Sequence, residues 1–265
     1  MINIKTPHEI ELMRVAGKLA ADVLVMIEPY IKSGVTTLEL DHICQDYIYN
    51  TQQAISACLG YQGYPKCTCI SVNEEVCHGI PGARVLKNGD IVNIDVTVIK
   101  DGYYGDTSKM YIVGGHTTPL SKRLVNTTQE CLYAALRKIH DGANLTIVGE
   151  TIQHIADRES FSIVRDYCGH GIGNTFHDEP TVLHYRNRNN VMLETGMTFT
   201  VEPMINAGTF KCKVNKKNGW TVTTADKSPS AQFEHTIVVT DDGCEILTLR
   251  PEEEGKIERV LHNLL

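Results

Sequence analysis

A spacing of about 107 residues recurs along this chain and constrains its fold more than any single motif. The segment NGDIVNID, residues 88–95, aligns with TGMTFTVE, residues 195–202, so that Gly89 matches Gly196 and Asp95 matches Glu202. Upstream, CHGIP resembles FHDEP, which matches His78 to His177 and Pro81 to Pro180. Gly34 and Gly142, each just ahead of a second helix, lie 108 residues apart. A chain repeated in this way builds two related α+β halves, approximately residues 1–115 and 116–265. Together they make one domain, and each gives a carboxylate and a histidine to a shared centre. With 265 residues the chain can bury a sizeable core.

The helices announce themselves by their caps. Thr6, Pro7 and Glu9 spell an N-cap, a first-turn proline and a capping box, followed by IELMRVAGKLAADVLVMI and a stop near Pro29. Thr36 and Glu39 repeat the box ahead of a helix that turns Leu40, Ile43, Tyr47 and Ile48 inward. PLSKRLVNTTQECLYAALRKIHDGA and NLTIVGETIQHIADRES supply the corresponding pair in the second half.

Between them lies IVNIDVTVIK, an alternating strand with Asn93, Asp95 and Thr97 on one face. Asp101-Gly102 is a two-residue hairpin turn, and YYGDTSKMYIV returns as the partner. That turn sets Lys100 against Tyr103 and Asp106 against Thr97, one diagonal step, roughly 7 Å, from Asp95. The shared face offers no basic residue. Like charges so close need a shared proton or a bridging cation. Glu202 and Glu234, the latter in QFEHTIVVT, bring the acids to four, too many for one proton. A binuclear divalent centre, with ions roughly 3.5–4 Å apart, neutralises them naturally.

Residues 166–180, DYCGHGIGNTFHDEP, place His170 and His177 among three glycines with no regular periodicity. Glycine lets backbone approach a ligand closely, so His170 is the expected nitrogen donor to that centre.

Bulk properties narrow the class. The chain is 42% hydrophobic and 22% charged, with no apolar run near the roughly 20 residues of a membrane span and no signal-peptide pattern, so a cytoplasmic protein is expected. Its nine cysteines form no C-x-x-C pair and read as reduced thiols. A net charge of −7 disfavours nucleic acid as the main ligand. The exception is KCKVNKK, residues 211–217, where Lys211, Lys213, Lys216 and Lys217 read as a solvated loop or, alternatively, a transient ribosome contact. Nothing in the sequence calls for more than a monomer.

YQGYPKCTCISVNEEVCHGIP, NIDVTVIKDGYYGDTS, GHGIGNTFHDEP, TVEPMI and QFEHTIVV together resemble type I methionine aminopeptidases, across nearly the whole chain. The resemblance implies the duplicated pita-bread (creatinase/aminopeptidase) fold: antiparallel sheet flanked by helices, with pseudo-two-fold symmetry. It implies two divalent ions (cobalt, manganese, iron(II) or zinc) held by Asp95, Asp106, His170, Glu202 and Glu234, with Asp106 and Glu234 bridging. His78 and His177 would contact substrate, and Glu202 would shuttle a proton from the nucleophilic water to the leaving amine. Cys58, Tyr61, Tyr64, Cys69, Phe176 and Trp220 would line the methionine pocket. A monovalent cation would sit at Asn73, Glu75 and Ser230. The implied substrate is a deformylated nascent chain whose initiator methionine precedes a small residue.

The short separations from His170 to Glu202 to Glu234 leave no room for the helical insertion of type II enzymes, and no N-terminal cysteine-rich extension or prolidase-type domain is seen, so a bacterial-style enzyme is expected. Two alternatives stay open: an aminopeptidase of different preference, and a non-catalytic member of the fold that binds RNA or the ribosome.

Overall fold

The computed structural model describes residues 2–256. Helix α1 (Pro7–Ile27) opens on the expected box: Thr6 Oγ1 accepts from the Glu9 amide, and the Glu9 carboxylate accepts from the Thr6 amide at 2.8 Å. Thr36 and Glu39 do the same for α2 (Thr37–Asp46). Two further helices, α3 (Pro119–Leu136) and α4 (Thr146–Arg158), serve the second half.

The strands in chain order are β1 (Ile55–Ser56), β2 (Cys69–Val72), β3 (Glu75–Cys77), β4 (Ile91–Lys100) and β5 (Tyr103–Ile112), then β6 (Ser162–Ile163), β7 (Gly169–Gly171), β8 (Asp178–Val182), β9 (Thr198–Val201) and β10 (Met204–Asn206). The last five are β11 (Cys212–Val214), β12 (Val222–Thr224), β13 (Ser230–Gln232), β14 (His235–Thr240) and β15 (Gly243–Ile246). One sheet centres on β4, with β1 and β2 along one edge and β5 along the other; a second runs β15-β14-β9-β7-β8. All these pairings are antiparallel. The sheets meet along β5 and β14, where Ser108 and Glu234 form an isolated bridge.

Some main-chain hydrogen bonds recur at the same interval. Gly34 donates to Leu86 and Leu86 to Val35; 107 or 108 residues on, Gly142 donates to Leu193 and Leu193 to Ala143. Gly89 and Gly196 both adopt positive φ, at 94° and 90°. Only a residue without a β-carbon takes that conformation without strain.

The two largest apolar clusters divide accordingly. Leu24, Ile27, Leu40, Ile48, Val92, Ile94 and Val96 lie in one, under α1 and α2. Leu124, Leu132, Val148, Ile152, Phe199 and Ile237 lie in the other, under α3 and α4. Helix α1 rests directly on β5: a β-carbon added to Gly105 would lie 2.4 Å from the Gly17 nitrogen.

The lysine-rich stretch corrects the loop expectation in part. Cys212–Val214 form β11, paired with β12, because Cys212 and Val214 alternate with Lys213 and meet Thr224 and Val222 across the ladder. Lys211, Lys213, Lys216 and Lys217 all stay exposed. Among the described residues no helix is long and apolar enough to cross a membrane.

Candidate metal centre and substrate pocket

The β4–β5 register pairs Thr97 with Asp106 and Asp95 with Ser108, so both aspartates share one face of the hairpin. The tight turn holds Asp101 and Gly102 at φ 50° and 81°, which matches a hairpin turn with two left-handed residues. From the other half, Glu202 follows β9, Glu234 precedes β14 and His170 lies on β7. Ligand atoms of Asp106, His170 and Glu234 all lie within 4.8 Å of one another. His170 Nε2 stands 3.6 Å from Asp106 and 3.7 Å from Glu202.

The His170 ring is oriented by its other nitrogen. Nδ1 lies 3.0 Å from the Gly171 carbonyl, which can only accept, so Nδ1 carries the proton and the Nε2 lone pair faces the carboxylates. That is the arrangement of a metal-ligating imidazole. Burial opposes a charge on this ring, but the nearby Asp106 and Glu202 carboxylates outweigh it and raise its pKa.

The acids are held under electrostatic strain. Burial, then the Asp106 charge, pushes Asp95 well above the usual carboxylate range, and the same two causes raise Glu234. Burial lifts Glu202 to about 7 against the pull of His170. All five residues line a cavity of about 690 Å³, and no lysine or arginine is among its described lining residues. Four acids, one correctly turned imidazole and no fixed cation fit a divalent metal: a held cation reverses each upward shift.

Every residue expected in the pocket lines the same cavity. Cys58, Tyr64 and Cys69 form a buried cluster packed by Trp220. The Tyr64 hydroxyl lies 3.0 and 2.9 Å from the Thr68 and Gly79 carbonyls, which anchors its ring, and Trp220 meets that ring edge-on. His78 stands edge-on to Trp220 and Tyr167. Tyr61, Phe176 and His177 pack together in the same cavity, with the His177 ring 4.1 Å from that of His170.

Asn73, Glu75 and Ser230 are neighbours, but their side chains are otherwise engaged. The Asn73 amide group bonds Asp90 and Ile91, Glu75 bonds Val72 and Arg84, and the Asn73 carbonyl accepts from the Ser230 amide.

Sequence reasoning missed the residues that hold the acids. Thr97 Oγ1 donates to Asp106 at 2.8 Å. Thr200 Oγ1 donates to one Glu202 oxygen at 2.8 Å and Gln232 Nε2 to the other at 3.2 Å. His184 Nε2, kept neutral by burial, accepts the Glu202 amide. Three of the four could have been found, because each stands two residues from an acid and shares its face by the period of a strand.

Residues 11–241 match the model of metallopeptidase family M24. The chain belongs to that family. M24 relatives with which it aligns end to end include the methionine aminopeptidases of Escherichia coli strain K12, 64% identical over 95% of this chain and 96% of the relative, and of Haemophilus influenzae, 57% identical over 99% of each. The crystal structure of the Rickettsia prowazekii methionine aminopeptidase superposes with a TM-score of 0.91 at 52% identity, covering 94% of this chain and all of the other. A prolidase from Pyrococcus furiosus, 20% identical with a TM-score of 0.72, shares the fold over 93% of this chain and 65% of its own. As an M24 metallopeptidase the chain depends on divalent metal.

Proposed function

We infer that the chain is a methionyl aminopeptidase, removing the initiator methionine from peptides with a free amino terminus and a small second residue. In this reading Asp95, Asp106, His170, Glu202 and Glu234 would hold two divalent ions of the manganese, cobalt, iron(II) or zinc class. The observation that carries it is the convergence of Asp106, His170 and Glu234 within 4.8 Å, with the imidazole lone pair turned inward. Bound there, the ions lower the pKa of water towards neutrality and polarise the scissile carbonyl.

The chain's own groups supply the rest. Glu202, its two oxygens fixed by Thr200 and Gln232, takes the proton of the attacking water and delivers it to the leaving amine. Burial and the nearby His170 lower His177 to about 4, so at neutral pH it is uncharged and donates an N–H to the developing oxyanion. His78, also lowered by burial, faces the peptide nitrogen. The wall of Cys58, Tyr64, Cys69 and Trp220 suits an unbranched thioether, which packs well on aromatic edges. Such an enzyme works on nascent chains in the cytoplasm.

The test is release of methionine from Met-Ala-Ser by chelator-stripped protein, before and after manganese(II) is restored, with Leu-Ala-Ser and N-formyl-Met-Ala-Ser as controls. Metal-dependent cleavage of the first peptide alone is expected. Folded, manganese-bound protein that cleaves none of the three overturns the reading.

A further inference from the structure

Asp106 on β5 and Glu234, just ahead of β14, stand side by side, yet no ladder joins the two strands beyond the isolated Ser108–Glu234 bridge among the described residues. The seam is spanned by hydroxyls instead. Thr107 Oγ1 donates to the Glu234 carbonyl at 2.7 Å. Thr236 Oγ1 donates to the Asp106 carbonyl at 2.8 Å and accepts the Asp106 amide at 3.1 Å. Both threonines are fully buried, and neither lines the cavity. Each does the work of a main-chain rung, at the two residues whose carboxylates must converge from different halves.

A hydroxyl has one proton, so its direction matters. Arg250 fixes it at Thr107: Nη1 donates to Oγ1 at 3.1 Å, which occupies an acceptor position and leaves the Thr107 proton for Glu234. Arg250 is itself fully buried and balanced by Glu253, with Nη2 2.6 Å from Oε1. Thr248 Oγ1 accepts the Thr236 amide at 3.1 Å, so the segment around residues 248–253 holds the Thr107 hydroxyl and the Thr236 main chain.

We propose that Thr107, with Arg250 behind it, and Thr236 are positioning residues that set the separation of Asp106 and Glu234 and thereby the affinity for divalent metal. They touch neither substrate nor ion. Groups that orient metal ligands commonly change affinity by about 10- to 100-fold when removed.

The proposal rests on Asp106 and Glu234 being ligands, and titration of manganese(II) into chelator-stripped protein by calorimetry separates the two. Thr107→Val, which keeps the branched shape, is expected to weaken binding by about tenfold or more, Thr236→Val likewise, and Thr107→Ser by less than about threefold. The metal-free thermal midpoint is recorded for each, and a fall in midpoint without a fall in affinity counts against positioning. Should Thr107→Val not fold, Thr236→Val decides. Valine variants that bind manganese as tightly as the parent overturn the proposal while leaving the ligands in place. A parent that binds no manganese, or an Asp106→Asn variant that binds as the parent does, removes the ligand reading first.

Discussion

Substituting Gly105 by alanine tests how closely the hairpin that carries Asp95 and Asp106 depends on α1. The added β-carbon would lie 2.4 Å from the Gly17 nitrogen and 2.5 Å from the Ala16 carbonyl carbon and oxygen. Ordinary contacts begin at 3.4 Å, so α1 and β5 must separate by about 1 Å, and the obstructing atoms are backbone that no rotamer change can clear. Overpacking of this kind costs about 1–3 kcal/mol, and a backbone-on-backbone clash belongs at the upper end. For a chain of this size that lowers the thermal midpoint by about 6–12 °C. Because Asp106 is the next residue, methionine release should fall as well. The assay is thermal unfolding of metal-free and manganese-loaded protein, with Gly243→Ala as control, since its nearest neighbour, Thr240 Oγ1, is 3.9 Å from the added carbon. An alanine at 105 that melts within about 2 °C of the parent would show that α1 is not seated as described.

Four further outcomes follow from the same geometry. His177→Ala should lower kcat/KM for Met-Ala-Ser by about 10² to 10³ with the thermal midpoint unchanged, as measured in steady-state assays. Glu202→Gln at saturating manganese should lower kcat by about 10² to 10⁴, read from single-turnover methionine release. Trp220→Ala should reduce the preference for Met-Ala-Ser over Leu-Ala-Ser by about tenfold in a competition assay. Burial tends to raise Glu253, but His235, Arg250 and Tyr133 overcome it and hold the carboxyl well below the usual range. Its stabilisation is therefore complete above the unfolded value of about 4.3 and is lost as pH falls below that, so the parent should lose more midpoint between pH 5.5 and 3.5 than Glu253→Gln does.

The fold was legible where local rules act alone. Thr6 with Glu9 and Thr36 with Glu39 are complete caps within four residues, and Asp101-Gly102 fixes the β4–β5 register down to the Thr97–Asp106 pair. Asp95 and Asp106 could be placed on one face for that reason. The joining of Glu202, Glu234 and His170 to them could not be fixed by period or spacing: it rested on the repeat for Glu202, on an acid in an apolar strand for Glu234 and on the glycines around His170, and the resemblance completed the set. Thr107 and Arg250 left no trace, because their contact spans 143 residues and a buried arginine near a buried glutamate looks, in sequence, like two surface charges. The KCKVNKK stretch misled in the opposite way: its lysines hid the alternation of Cys212 and Val214 that makes β11 an edge strand.

Thr107 and the arginine that orients it are also far apart in time. A ribosome builds from the first residue onward and amino-terminal regions fold early. The hairpin bearing Asp95 and Asp106, with α1 and α2 over it, can therefore collapse while Glu234 and Arg250 are still unmade. Synthesis thus imposes an order on the centre: Asp95 and Asp106 are made first, like charges uncompensated, and Glu234 and the arginine that locks its seam follow. Until both are made, Asp106 lacks the carboxylate that faces it within 4.8 Å across the seam.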